Sequence, residues 1–155
     1  MPVSDMTKLH IVLVEPEIPP NTGNVARLCA AAELCLHLVH PLGFSVDDRH
    51  LKRAGLDYWH LVDVVHHHSL SRFLAACGDE NLLAFSRRAD TVYTEAPFSE
   101  GDYLLFGRET AGLPGEIMSL CPSYRIPMTG KVRSLNLATS VGIVAYEALR
   151  QINGW

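Results

Sequence analysis

Three short groups of residues carry the side chains best suited to chemistry. Arg27 follows Asn21-Thr22-Gly23-Asn24, on what the spacing predicts as the first turns of a helix. An arginine so placed can hold a phosphate or ribose oxygen by charge-assisted hydrogen bonds. It is a poor base, because guanidinium stays protonated well above neutral pH. Gly107, Gly112 and Gly115 punctuate the stretch Leu105-Phe106-Gly107-Arg108-Glu109-Thr110-Ala111-Gly112-Leu113-Pro114-Gly115. Glycines there let the backbone approach a flat or bulky ligand. Ser134 and Asn136 stand in Ile126-Pro127-Met128-Thr129-Gly130-Lys131-Val132-Arg133-Ser134-Leu135-Asn136-Leu137. Phe106, Leu113, Ile126, Leu135 and Leu137 could wall the faces of an adenosine whose edge meets backbone donors and acceptors. Each group also has an ordinary reading, since Asn and Gly form turns and Ser and Asn cap helices. Taken singly, a glycine-rich turn is more often only a turn.

These groups need elements to hold them. Lys8 to Val14 reads as a buried strand of nearly unbroken apolar residues. Pro16, Pro19 and Pro20 argue against a helix directly after it, so helical spacing is expected over Thr22 to Glu33. Leu36–Val39, Leu61–Val65, Asn81–Ser86, Tyr103–Phe106 and Tyr124–Pro127 complete six predicted strands. Short helices are expected over Asp47–Ala54 and from Ser69 through Ala76, ended by Gly78. A last helix runs from about Asn136 to Gln151, with Leu137, Val141, Val144 and Ala148 on one stripe. Its neighbours Gly142 and Ala145 permit close approach of another helix or of a partner subunit. Strands alternating with helices predict an α/β fold with a mainly parallel six-stranded sheet flanked by helices. Ala89 to Gly101 is the least regular stretch. No repeat or linker divides the chain, so residues 1–155 are read as a single domain.

Bulk properties narrow the function classes. Hydrophobic residues make up 48% and charged residues 19% of the 155, which supports a full core rather than disorder. No apolar run is long enough to span a membrane, and the first residues lack the pattern of a secretory signal. Cys29, Cys35, Cys77 and Cys121 form no CxxC pair, so neither disulfides nor zinc are expected and a reduced cytoplasmic setting fits. No two glycines are two residues apart, which removes GxGxxG, and no GxxxxGK[ST] occurs. The formal net charge of −4 weighs against nucleic acid. Local basic clusters soften that objection: Arg49, Lys52 and Arg53, then Arg87 and Arg88, then Lys131 and Arg133. A symmetric dimer would double each.

In this order and at these positions, the three groups resemble the motifs of the knotted SPOUT RNA methyltransferases. The resemblance covers nearly the whole chain. It is closest to single-domain enzymes acting on the ribose of the tRNA wobble position, through Glu15-Pro16-Glu17-Ile18-Pro19-Pro20-Asn21-Thr22-Gly23-Asn24, Arg53-Ala54-Gly55-Leu56-Asp57-Tyr58 and Gly101-Asp102-Tyr103. It implies a C-terminal trefoil knot, which physical priors alone would disfavour, and a homodimer. It also implies 2′-O-methylation of cytidine or modified uridine at the wobble nucleotide of tRNA, with leucine tRNA the expected substrate. S-adenosyl-L-methionine would be the methyl donor, with no metal. The same chemistry on another tRNA or rRNA site, and a non-catalytic RNA-binding relative, are the alternatives.

Carried over by motif, the resemblance implies Arg27, Ser134 and Asn136 as catalytic. Phe85, Gly107, Glu109, Ile126, Ser134 and Leu135 would be at the cofactor, and Arg27, Lys52, Arg53, Lys131 and Arg133 at the RNA. Phe85 departs from the aliphatic residue common there, and Arg108 stands where close relatives often have proline, which predicts a looser loop. The run His66-His67-His68 is read as a surface loop, because consecutive residues of an extended segment point apart and a metal needs converging ligands. His10, His37 and His40 are expected to pack near strand ends. Tyr58 and Trp59 could stack on a base, although Trp59 could equally serve a core or interface.

Overall fold

A computed structural model describes residues 8–47, 49 and 58–155. Seven strands form one sheet: β1 (His10–Val14), β2 (Cys35–Val39), β3 (Val64–His67), β4 (Leu82–Phe85), β5 (Thr91–Val92), β6 (Tyr103–Phe106) and β7 (Ser123–Arg125). Their order is β3-β2-β1-β6-β4-β7-β5, and every pairing is parallel. The helices are α1 (Pro19–Ala32), α2 (Leu70–Cys77), α3 (Gly115–Leu120) and α4 (Leu137–Asn153). No described helix is long and apolar enough to cross a membrane.

Both faces of the sheet are covered, as a parallel sheet requires. Ile11, Leu13, Leu36, Leu38, Leu104 and Phe106 point to one face and meet Val25, Cys29, Val141, Val144 and Ala148 from α1 and α4. Val12, Val14, Val39, Ala84 and Leu105 point to the other and meet Phe73 of α2 and Ile117 of α3. The chain runs outward through β1, β2 and β3, then crosses back to β4, and β6 later fills the place between β1 and β4. The reversal leaves the carboxyl ends of β6, β4 and β7 side by side under three long loops, the usual ligand position in such folds.

Several local expectations need correction. Helix α1 begins at Pro19, not Thr22. Pro19 and Pro20 occupy its first turn, where a missing N–H costs nothing and a fixed φ favours the helix. The third strand is Val64–His67 rather than Leu61–Val65. It is an edge strand with an exposed face, so its apolar pattern is weak. A seventh strand, the two-residue β5, lies inside the stretch read as irregular. Helix α3 had no sequence signal beyond one turn. The expected helix over Asp47–Ala54 lies outside the described residues apart from Asp47 and Arg49, and of the Arg53–Tyr58 motif only Tyr58 is described. The last helix opens as expected: Asn136 caps it by accepting the Thr139 N–H at 3.2 Å.

Candidate active site

A cleft of about 340 Å³ opens at the carboxyl ends of β4 and β6. Phe85 and Phe106 form its floor, with ring centroids 5.2 Å apart. Residues 107–113 form one wall, and Ile126, Met128 and Ser134 to Leu137 form the other. The first wall turns tightly. Arg108 and Gly112 exchange backbone hydrogen bonds of 3.2 and 2.9 Å, and Gly112 has φ +72°. A Cβ on Gly107 would lie 2.1 Å from the Gly112 carbonyl carbon and 2.2 Å from the Leu113 nitrogen. Only glycine allows the loop to close on itself there.

Three segments distant in sequence are tied together beside this cleft. The Glu109 carboxylate accepts the Glu17 N–H at 2.9 Å, the Ile18 N–H at 2.8 Å and the Asn21 side-chain amide at 3.2 Å. Asn21 Oδ1 in turn accepts from the Asn136 side-chain amide at 2.8 Å. Asn136 thereby spans two helix starts, because its own Oδ1 caps α4. Glu17 answers Glu109 in the opposite sense: its carboxylate accepts the Thr110 N–H at 3.1 Å and the Thr110 hydroxyl at 2.7 Å. Those bonds hold the Glu17 carboxyl below the usual carboxylate range. Arg108 pairs with Glu15, which leaves β1 in a left-handed conformation at φ 54°. The pair raises the Arg108 pKa further, chiefly through the hydrogen bond to Glu15. The loop expected to be loose at Arg108 is therefore bridged and paired.

The cleft brings together Phe85, Gly107, Glu109, Ile126, Ser134, Leu135 and Asn136. Ser134, Leu135 and Asn136 are exposed at its rim. Arg27 is not part of its wall. It lies six positions beyond Asn21, about 9 Å along the helix axis. It lies exposed, with its guanidinium carbon 5.0 Å from the centroid of the Tyr58 ring. Tyr58 therefore stacks on an arginine, and Trp59 packs against the core. Lys131 and Arg133 are exposed on the loop before Ser134. Lys52 and Arg53 lie outside the described residues. Asn21 and Thr110 were missed as site residues. Asn21 read as a turn former, and its one available signal was an amide destined for burial on a helix.

Residues 8–146 match the family described as the SpoU rRNA Methylase family. The chain belongs to that family. It is 46% identical over 147 residues to the tRNA (cytidine(34)-2'-O)-methyltransferase of Escherichia coli K12, covering 93% of this chain and 94% of that protein. A solved structure described as "Structural insights into the 2-OH methylation of C/U34 on tRNA" superposes with a TM-score of 0.93 at 53% identity, over 96% of this chain and 99% of the other. The SpoU methyltransferase AviRb of Streptomyces viridochromogenes, in complex with the cofactor AdoMet, superposes with a TM-score of 0.84 at 26% identity. That match covers 94% of this chain and 61% of AviRb. The SpoU family is a methyltransferase family, in line with the resemblance read from the motifs.

The histidines form a separate group. His66 and His67 lie in β3, not in a surface loop, and point to opposite faces. His67 Nε2 is 2.9 Å from His37 Nδ1, and His37 Nε2 is 2.8 Å from His10 Nδ1. On the other face His66 meets His40 at 2.9 Å. His37 lies in the middle of β2 and is buried, rather than near a strand end. Together with Cys35, His10 and His37 have ligand atoms within 4.8 Å of one another. Each already has a protein partner, the Cys35 thiol donating to the Asp63 carbonyl at 3.5 Å.

Proposed function

We propose that this protein transfers the methyl group of S-adenosyl-L-methionine to the ribose 2′-oxygen of the wobble nucleotide, cytidine or modified uridine, in the anticodon of tRNA, with leucine tRNA as substrate, acting as a cytoplasmic homodimer. The observation that carries the reading is the Glu109–Asn21–Asn136 network, which joins all three motifs around one cleft of ligand size. The family membership and the wobble-position activity named for its relatives support it. The trefoil knot implied by the motifs belongs to the same proposal.

The residues present suit the donor. Phe85, Phe106, Leu113, Ile126 and Leu135 offer apolar walls, and the tight backbone of residues 107–113 offers donors and acceptors for an adenine edge. Bound there, S-adenosyl-L-methionine supplies an already activated methyl. The chain's own task is then mainly alignment. Asn136, held between Asn21 and the start of α4, fixes the rim beside Ser134. Ser134, exposed at that rim, is read as the residue that meets the ribose hydroxyl. Glu109 contributes by fixing the entry of α1. Arg27, outside the wall, serves RNA rather than the cofactor of its own chain, holding a phosphate or ribose oxygen.

The test uses tritium-labelled S-adenosyl-L-methionine and total tRNA from a strain lacking the protein, with nucleoside mapping of the label. Label on the wobble 2′-oxygen is expected. Label on another 2′-oxygen would retain the reaction and discard the target. No label on this tRNA despite cofactor binding would point to another RNA or a missing prior modification before it pointed to a non-catalytic relative. Arg27→Ala should abolish transfer and keep cofactor affinity; normal turnover in that variant would remove Arg27 from the chemistry.

A further inference from the structure

A second hollow, of about 410 Å³, adjoins the cleft and shares Arg87, Ile126 and Met128 with it. Arg125, Val132 and Arg133 complete its lining, so three of its six residues are arginines and none is acidic. None of the three arginines has an ion pair among the described residues, whereas Arg108 and Arg150 are both paired to glutamates. In a chain of net charge −4, three guanidinium groups around one hollow with no acid in its lining make a locally cationic surface.

Their supports are firm. Arg87 sits in a turn that closes directly after β4. The Ser86 N–H donates to the Tyr124 carbonyl at 2.9 Å, and the Ala89 N–H donates to the Ser86 carbonyl at 3.1 Å. Arg125 ends β7, is half-buried, and pairs in register with Val92 of β5. Arg133 directly precedes Ser134. The hollow thus begins where the cleft's rim ends.

We propose that Arg87, Arg125 and Arg133 form the subsite for the phosphodiester on the 3′ side of the target ribose. The proposal rests on the reading of the cleft as a ribose 2′-O-methyltransferase site. The 2′-carbon of a nucleotide is bonded to the 3′-carbon that carries this phosphodiester. An anion site for it must therefore abut the point of methyl transfer, as this hollow does. Guanidinium suits the task because its planar fork matches phosphate oxygens. Bases are not read here; the subsite sets position and leaves sequence to other contacts.

A substrate tRNA assembled with one neutral methylphosphonate, placed either 3′ or 5′ to the wobble nucleotide, tests this against Arg125→Gln and Arg133→Gln. Arg125 lies off the cleft wall, so Arg125→Gln should keep the wild-type affinity for S-adenosyl-L-methionine, which also reports folding. On unmodified tRNA it should weaken binding by about tenfold. It should also lower the slope of log affinity against log salt by about 0.7–0.9. On the 3′ methylphosphonate it should cost nothing further, and on the 5′ one it should cost its full tenfold. Arg133→Gln should behave alike. Equal losses on all three substrates, or none on any, would overturn the subsite while wild-type labelling of tRNA kept the reaction. Wild-type protein that labels no RNA, yet binds tRNA with this same 3′-specific pattern, would sink the reaction and keep the anion site. Wild-type protein that binds no tRNA would overturn both.

Discussion

Two polar clusters in this molecule use side-chain hydrogen bonds to opposite ends. Around the cleft, Glu109, Asn21, Asn136, Glu17 and Thr110 join segments 88 to 115 residues apart, and the space they enclose stays open. On the β1–β3 half of the sheet, His10, His37 and His67 link three neighbouring strands and fill their own space. Tyr103 stacks on His10 at 4.0 Å and Phe73 packs edge-on against His37 and His67. The second cluster looks more reactive by residue type. The first looks more like a site, because its bonds fix loops and leave a void for a ligand. A set of titratable side chains becomes a candidate site through what it faces.

The largest expected effect comes from the cleft's tightest point. Gly107→Ala has no room, since the clashing atoms are backbone. The loop from 107 to 113 must move, and cofactor affinity should fall at least about a hundredfold, consistent with the cost of a misplaced binding loop. Calorimetric titration of S-adenosyl-L-methionine checks it. Near-normal affinity would mean that this loop is not a cofactor wall.

Glu109→Ala should come next. It strips partners from two backbone N–H groups and the Asn21 amide. The expected loss is about 1–3 kcal/mol of stability, since the donors are only partly buried. Urea denaturation measures that term, and cofactor affinity should weaken with it. Glu109→Gln keeps an acceptor oxygen and should lose less. If both variants match wild type, the three motifs are held by packing rather than by this network.

The histidine cluster should reveal itself through pH instead. Burial, then the neighbouring His10 and His67, pushes His37 down to about 3. Below pH 6.5 the unfolded chain binds a proton at this residue that the folded chain refuses. The stabilisation is therefore complete above about pH 6.5 and drains as pH falls toward 3. At pH 5 the loss from His37 alone is about 2 kcal/mol. His10, His66 and His67 are lowered in the same direction. Thermal unfolding from pH 7.5 to 5 should show a steep fall that His37→Phe flattens, although that variant starts lower. A parallel fall in both proteins would place the acid sensitivity elsewhere.

Legibility in the sequence followed the same division. β1, β2 and β6 announced themselves as apolar runs, and α4 as a stripe with an Asn cap. The edge of the sheet did not. Val64-Val65-His66-His67 is half-exposed, and its histidines read as a loop because their partners, His37 in β2 and His40 just past its end, are distant in sequence. β5 and α3 are too short to generate a period. In the site, the glycines and the Ser134–Asn136 pair were visible by motif. The bonds of Asn21 to Glu109 and Asn136 were not, because no local pattern encodes a contact across such separations.

The smallest expected effect is the most discriminating for the cleft. Arg108 is exposed, and its pair with Glu15 is a surface one, of a kind that contributes little. Its backbone, by contrast, closes the turn with Gly112. Arg108→Ala keeps that backbone and should change cofactor affinity by about threefold or less. Arg108→Pro removes the N–H that donates to the Gly112 carbonyl. It should cost more than alanine if the bridge shapes the wall, and no more if Gly107 and Glu109 suffice. Titrating the two variants side by side separates the side chain's share from the backbone's. A loss in Arg108→Ala as large as that in Glu109→Ala would move the hold on this loop from the carboxylate network to the surface ion pair.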